Sequence, residues 1–255
     1  MIKNTSEKLS LREKLRKGQK VIGTWCEIPS PEVVNILAKA GLDFVIIDME
    51  HGAADFRTAA RMVVAAQAEG CAPLIRVAGN DDQSILRALE AAPEGVIVPH
   101  IETTSQREKA MSHIKFSPDG TRSLNPFTRA GSYGSNTQSL AVRNREIFSG
   151  LIIESMAGVK NMEKILGDNS IDIIYIGTYD LSVDLGLAGQ TKHPKVLALV
   201  KKLTKTTRAK NVNVGCIFGD EKELKYLAGL GVNFLCYRAD SGVIFDNFSW
   251  AKNLL

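Results

Sequence analysis

A chain of 255 residues with 44% hydrophobic and 24% charged side chains carries enough apolar mass for one large domain or two small ones. Its formal charge of +4, from 32 basic against 28 acidic residues, is weak, and no dense basic block or interleaved aromatic platform occurs, which argues against nucleic acid as a partner. No apolar run approaches the roughly 18 residues of a membrane span and the first residues lack a signal-peptide core, so the sequence predicts a cytoplasmic protein with no membrane partner.

Residues 5–18 predict a short amphipathic helix with Leu9, Leu11 and Leu15 on one side. Eight short apolar runs follow, at 21–28, 44–48, 72–77, 95–99, 151–154, 171–177, 213–217 and 233–237. Runs of this kind are the pattern of strands buried on both faces. Helical patterns at 31–40, 57–69, 84–91, 106–115, 159–166, 194–210 and 221–230 separate most of them. Gly41, Gly70 and Gly231 stand where a helix-stop glycine belongs, just before the next strand. Strands alternating with helices predict a parallel α/β sheet with right-handed crossovers. At about 250 residues its closed form is a single-domain (β/α)₈ TIM barrel, over about 20–240, with a C-terminal helix at about 241–255. A doubly wound open sheet is the alternative. The barrel is preferred because polar residues end several strands, whereas an open sheet gathers them at one switch point.

The stretch 117–139 breaks the beat. It is rich in Gly, Pro, Ser, Asn and Arg and too long for a plain connection. Its Arg122, Phe127, Arg129 and Tyr133 predict a functional lid. The last residues, with Phe245, Phe248 and Trp250, predict packing on this barrel or on a neighbouring subunit. Cys26, Cys71, Cys216 and Cys236 are scattered and fit neither a zinc ribbon nor a disulfide framework; they read as buried thiols in a reducing compartment.

Three strand ends carry chemistry. Asp48, Glu50 and His51 break the run 44–48, and such groups are costly to bury unpaired. The C-terminal ends of strands are where a barrel places its reactive groups. Glu154 ends the fifth run, and Thr178, Tyr179 and Asp180 follow the sixth. Glu154 and Asp180 offer oxygen ligands to a hard divalent cation, with water or substrate completing the shell. The same carboxylates could instead cap helices or bind arginine. No Cys/His cluster supports structural zinc. Arg76, at the end of its own run, reads either as a salt bridge to Asp48 or Glu50 or as a guanidinium that stabilises charge on a substrate oxygen.

The ordered blocks Gly-Thr-Trp, Phe-Val-Ile-Ile-Asp-Met-Glu-His-Gly, Ile-Arg-Val, Gly-Val-Ile-Val-Pro, Ser-Pro-Asp-Gly-Thr-Arg-Ser, Ile-Ile-Glu-Ser and Ile-Gly-Thr-Tyr-Asp-Leu-Ser resemble the HpcH/HpaI aldolase family of class II, metal-dependent pyruvate aldolases. The resemblance implies that Glu154 and Asp180 bind Mg²⁺, Mn²⁺ or Co²⁺. It makes His51 the general base and Arg76 the stabiliser of the pyruvate enolate, with the backbone around Thr178 and Tyr179 holding the pyruvate carboxylate. It also implies a homo-oligomer, a hexamer built from dimers that exchange their last helices, acting on a small oxo acid and an aldehyde.

Three departures stand out. Ile152 occupies a position where the family commonly has Gln. Glu90 replaces an Asp that raises the basicity of the histidine, and His100 replaces an apolar residue. His100, Arg122 or Arg129 is expected to supply the substrate hydrogen bond that Ile152 cannot make, unless His100 caps the following helix. The expected reaction is reversible cleavage of a 4-hydroxy-2-oxo acid to pyruvate and an aldehyde. Condensation of an enolate with an oxo acid, as in citrate formation, is the alternative of the same fold, and a non-catalytic metabolite-binding barrel is the alternative of another class.

Overall fold

The computed structural model describes residues 9–167 and 170–254. Strands β1 (Val21–Cys26), β2 (Phe44–Asp48), β3 (Ala72–Arg76), β4 (Gly95–Val98), β5 (Phe148–Ile153), β6 (Ile173–Ile176), β7 (Asn213–Phe218) and β8 (Phe234–Ala239) close in sequence order into a barrel. Every neighbouring pair is parallel, including β8 on β1. The expected closed barrel is therefore found, and the open sheet is not.

The continuous apolar runs have a direct cause. In β2, Phe44 and Ile46 face the barrel interior while Val45 and Ile47 face the helix layer, and all four are fully buried. Phe44, Phe148 and Phe234 fill the interior, with Phe44 stacked on Phe234 at 3.8 Å between ring centroids. The outer layer comprises α2 (Pro31–Lys39), α3 (Phe56–Ala68), α4 (Asp82–Glu90), α5 (Thr104–Ile114), α7 (Met156–Leu166), α9 (Pro194–Arg208) and α10 (Glu221–Leu230). Among the described residues no helix is long and apolar enough to cross a membrane.

Helix α1 (Leu11–Arg16) closes the N-terminal end of the barrel. Ser10 and Glu13 form a reciprocal capping box, which starts the helix so that Leu11 and Leu15 enter the interior cluster. Arg12 is anchored to Asp172 at 2.5 Å and Lys14 to Asp43 at 2.5 Å. The expected helix at 5–18 is thus shorter, and its first four positions lie outside the described residues.

The stretch 117–139 is not a lid over its own barrel mouth. It leaves the C-terminal end of α5 and reaches the start of β5 through a 3-10 turn (Arg129–Gly134) and α6 (Leu140–Glu146), so it lies across the face where strands begin. Arg129 donates to the Ala91 carbonyl at 2.8 Å and to Gln67 at 2.6 Å. Arg122 lies 4.4 Å over the Phe116 ring and 3.4 Å from Glu90. Within one chain these arginines fasten the loop to helix ends.

The four cysteines are buried thiols, as expected. Helix α11 (Asp240–Lys252) does not bury its aromatic side chains on its own barrel: Phe245, Phe248 and Trp250 remain 70, 73 and 65% exposed.

Candidate active site

The C-terminal ends of β2 and β3 are joined by one buried carboxylate. Asp48, 1% exposed, accepts the N–H groups of Glu50 at 2.9 Å and His51 at 3.2 Å. That is the local turn an Asp side chain stabilises. It also accepts from Arg76, through Nε at 2.9 Å and through Nη2. Gly52 completes the turn, because a Cβ there would run into the Asp48 carbonyl oxygen.

Arg76 is held on three sides. Asp48 takes two of its donors, Glu50 lies 3.0 Å from Nη1, and the Trp25 ring lies 4.5 Å beneath the guanidinium. Burial works against its charge. The hydrogen bond and charge of Asp48, followed by Glu50 and Glu154, outweigh burial and hold it above its ordinary value. Removing one partner of such a buried pair typically costs about 3–5 kcal/mol, so this arginine is rigidly placed. The salt-bridge reading of Arg76 is therefore correct, and it is compatible with a substrate role because the head group still faces the cavity.

His100 and Gly177 shape the opposite wall. His100 has a left-handed backbone, φ 57°, which turns its N–H onto Glu154 Oε1 at 2.7 Å. Its ring bridges two carboxylates, 3.0 Å from Glu154 and 2.6 Å from Glu50. Helix α5 is capped by Thr103 instead, which corrects the capping reading of His100. Gly177, between β6 and α8 (Thr178–Asp184), lets the chain pass close to Glu154: a Cβ there would stand 2.5 Å from the Glu154 Cβ.

Burial lifts Glu154 above the usual carboxylate range. The His100 backbone and ring oppose that shift, while Glu50 and Asp180 add to it. Asp180 sits in the first turn of α8. Gly177 gives that helix no side-chain cap, so its leading N–H groups are left for water or a ligand. Thr178 is buried, and its hydroxyl has no hydrogen-bond partner.

These groups surround a cavity of about 270 Å³ at the barrel mouth. His51, Arg76, Glu154, Thr178, Tyr179 and Asp180 line it together, and His100 touches Glu154 at its edge. Trp25, Tyr175 and Ile152 contribute the apolar lining, with Trp25 Nε1 donating to the Tyr175 hydroxyl at 2.8 Å. Two expected site residues are elsewhere. Glu90 ends α4 and meets Arg122 on the face where strands begin, so within one chain neither joins His51. Among the described residues no side chain hydrogen-bonds the His51 ring.

Among the described residues no three His, Cys, Asp or Glu side chains gather into a ready-made metal cluster. Glu154 and Asp180 nevertheless suit a hard divalent cation that keeps water or substrate on its remaining positions. Their charges oppose one another across the cavity, a repulsion that a cation would relieve.

Residue-by-residue reading missed Asp48 as the organiser of this wall, and it missed Trp25, Tyr175 and Glu27 as lining. The signal for Asp48 was present as an acid at the end of a fully apolar run.

Known proteins similar to this one point to one family. The sequence profile described as HpcH/HpaI aldolase/citrate lyase matches residues 21–244. A pyruvate aldolase of Rhizobium etli is 28% identical over 91% of this chain and 92% of its own length. A crystal structure of an HpcH/HpaI aldolase/citrate lyase family protein from Burkholderia cenocepacia superposes with a TM-score of 0.90 at 28% identity, covering 95% of this chain and 97% of the other. A citrate synthase structure superposes at 0.87 with 29% identity, covering 97% of both chains. The profile spans all eight strands and the cavity they enclose, and the chain belongs to the HpcH/HpaI aldolase/citrate lyase family.

Proposed function

We propose that this aldolase-family enzyme reversibly cleaves a 4-hydroxy-2-oxo acid into pyruvate and an aldehyde, using a divalent cation held by Glu154 and Asp180. The observation that carries the reading is the convergence of a histidine, a fixed arginine and two carboxylates from four strand ends on one cavity. When bound, the cation supplies Lewis-acid polarisation of the 2-oxo group. The chain supplies the rest. The Thr178 hydroxyl and the leading N–H groups of α8 receive the substrate carboxylate. Arg76 faces the 2-oxo oxygen, where negative charge grows as the C3–C4 bond breaks. His51 takes the proton of the 4-hydroxyl, and the bonding pair passes into the enolate of pyruvate. Trp25, Tyr175 and Ile152 line the cavity with apolar surface, which limits water around the developing charge.

The test needs no knowledge of the natural aldehyde. The enzyme with Mg²⁺, Mn²⁺ or Co²⁺ should exchange the methyl protons of pyruvate in D₂O, followed by NMR, and should add pyruvate to at least one small aldehyde. Absence of exchange with all three cations would sink the proposal.

We infer further that the active form is a homo-oligomer, a hexamer, in a reducing cytoplasm, which the four buried thiols suit. The exposed Phe245, Phe248 and Trp250 on α11 support assembly, since soluble monomers rarely leave such a contiguous apolar surface open. In this arrangement Glu90 and Arg122 could reach His51 only from a neighbouring subunit. Light scattering at micromolar concentration should report an oligomer, and Phe248→Asp should lower its mass. A monomeric parent refutes the inference.

A further inference from the structure

The catalytic cavity opens beside a larger one of about 560 Å³, which shares Glu27, Thr178, Tyr179, Ile217 and Ala239 with it. The larger cavity lies over the ends of β7 and β8, where an aldehyde departing from pyruvate would extend. Its cations are committed. Lys192 lies 2.8 Å from Asp220 and 3.1 Å from Glu223, and Arg238 pairs with Asp246. Glu27 differs from these acids. No described residue forms an ion pair with it. Its backbone N–H is held by the buried Asp240 at 3.0 Å, and one carboxylate oxygen accepts from the Ser241 hydroxyl at 2.6 Å. Its carbonyl oxygen lies 3.4 Å from where a Cβ of Gly52 would stand, which places Glu27 against the turn that carries His51.

Resting on the aldolase reading above, we propose that Glu27 is the specificity-determining residue for the aldehyde. Its unpaired carboxylate accepts a hydrogen bond from a hydroxyl of a neutral hydroxyaldehyde and repels aldehydes that carry a carboxylate, phosphate or sulfonate. The chemistry is one-sided. A carboxylate accepts hydrogen bonds and offers none when ionised, and like charges brought together in a partly desolvated site are strongly disfavoured. With Lys192 and Arg238 already neutralised, nothing else lining this cavity offers an uncommitted cation to an anionic tail. The oxo acid made or cleaved here then bears one carboxylate, the one contributed by pyruvate.

Matched aldehyde pairs test this on the full-length enzyme with saturating pyruvate and divalent cation: glycolaldehyde against glyoxylate, and glyceraldehyde against tartronate semialdehyde. Each kcat/KM is normalised to the same protein's pyruvate proton exchange. The parent should favour the neutral member of each pair by about tenfold or more. Glu27→Gln, which can still accept from Ser241, should shrink that ratio about tenfold, and Glu27→Lys should reverse it. If Glu27 only anchored α11, Glu27→Gln would leave the ratio within about twofold, and the proposal falls. It falls equally if the parent prefers the anionic member of both pairs. Exchange that proceeds while the ratio stays fixed overturns the role of Glu27 alone. Absence of exchange in the parent overturns the aldolase reading together with it.

Discussion

His51→Ala lowers turnover by about 10² to 10⁴, the usual worth of a positioned base, and leaves pyruvate binding in place. The second half follows from how the site is built. His51 is presented by a turn whose N–H groups rest on Asp48, and its exposed ring makes no contact on which Arg76, Glu154 or Thr178 depends. Removing the ring therefore takes away a proton acceptor without loosening the arginine or the carboxylates. Turnover of a 4-hydroxy-2-oxo acid and calorimetric titration with pyruvate separate the two effects. A variant that kept its turnover and lost its pyruvate affinity would mark His51 as a binding group.

Glu154→Ala and Asp180→Ala should each abolish divalent-cation binding and, with it, activity, while the barrel stays folded. Residues at the C-terminal ends of barrel strands serve chemistry more than stability, and Glu154 illustrates why. Its carboxyl titrates above the usual range, first because it is buried. A group whose folded value is raised costs stability when ionised, and that cost vanishes as pH falls through the raised value. Replacing it by an uncharged side chain consequently does not remove a stabilising charge. The same shift sets a pH dependence. As pH drops toward the raised value, protons compete with the cation for Glu154, so Mn²⁺ affinity measured by calorimetry should weaken between neutral pH and the acid side. Full activity after exhaustive dialysis against excess EDTA would remove the cation from the mechanism.

The barrel was legible because its strands are buried on both faces and its helix stops are marked. Gly41, Gly70 and Gly231 all adopt positive φ, as a terminating glycine must. The cavity was legible where an apolar run ends in an ionisable group, as at His51, Arg76 and Glu154. What could not be read was facing. The composition of 117–139 announces binding chemistry, yet a helix-to-strand connection lies on the side where strands begin, and this places Arg122 and Arg129 away from the mouth of their own barrel. Glu27 was hidden differently. The apolar run through Ile28 reads as continuous strand, whereas β1 stops at Cys26 and the next side chain turns to the cavity. Asp48 showed its cost of burial and was one of two candidate partners for Arg76. That it takes two donors of the guanidinium depends on the register of β2 on β3, and that it also holds the N–H groups of Glu50 and His51 was not foreseen.

Leu11 and Leu15, driven into the barrel by α1 and locked by Arg12 and Lys14, give the enzyme a vessel with one door. Traffic through one door is a queue. If pyruvate sits among Arg76, Glu154 and Thr178 and the aldehyde extends toward Glu27, the aldehyde must walk out first and pyruvate last. Product-inhibition kinetics should then show pyruvate competing with the oxo acid and the aldehyde inhibiting in a mixed fashion; the reverse pattern would mean a second exit.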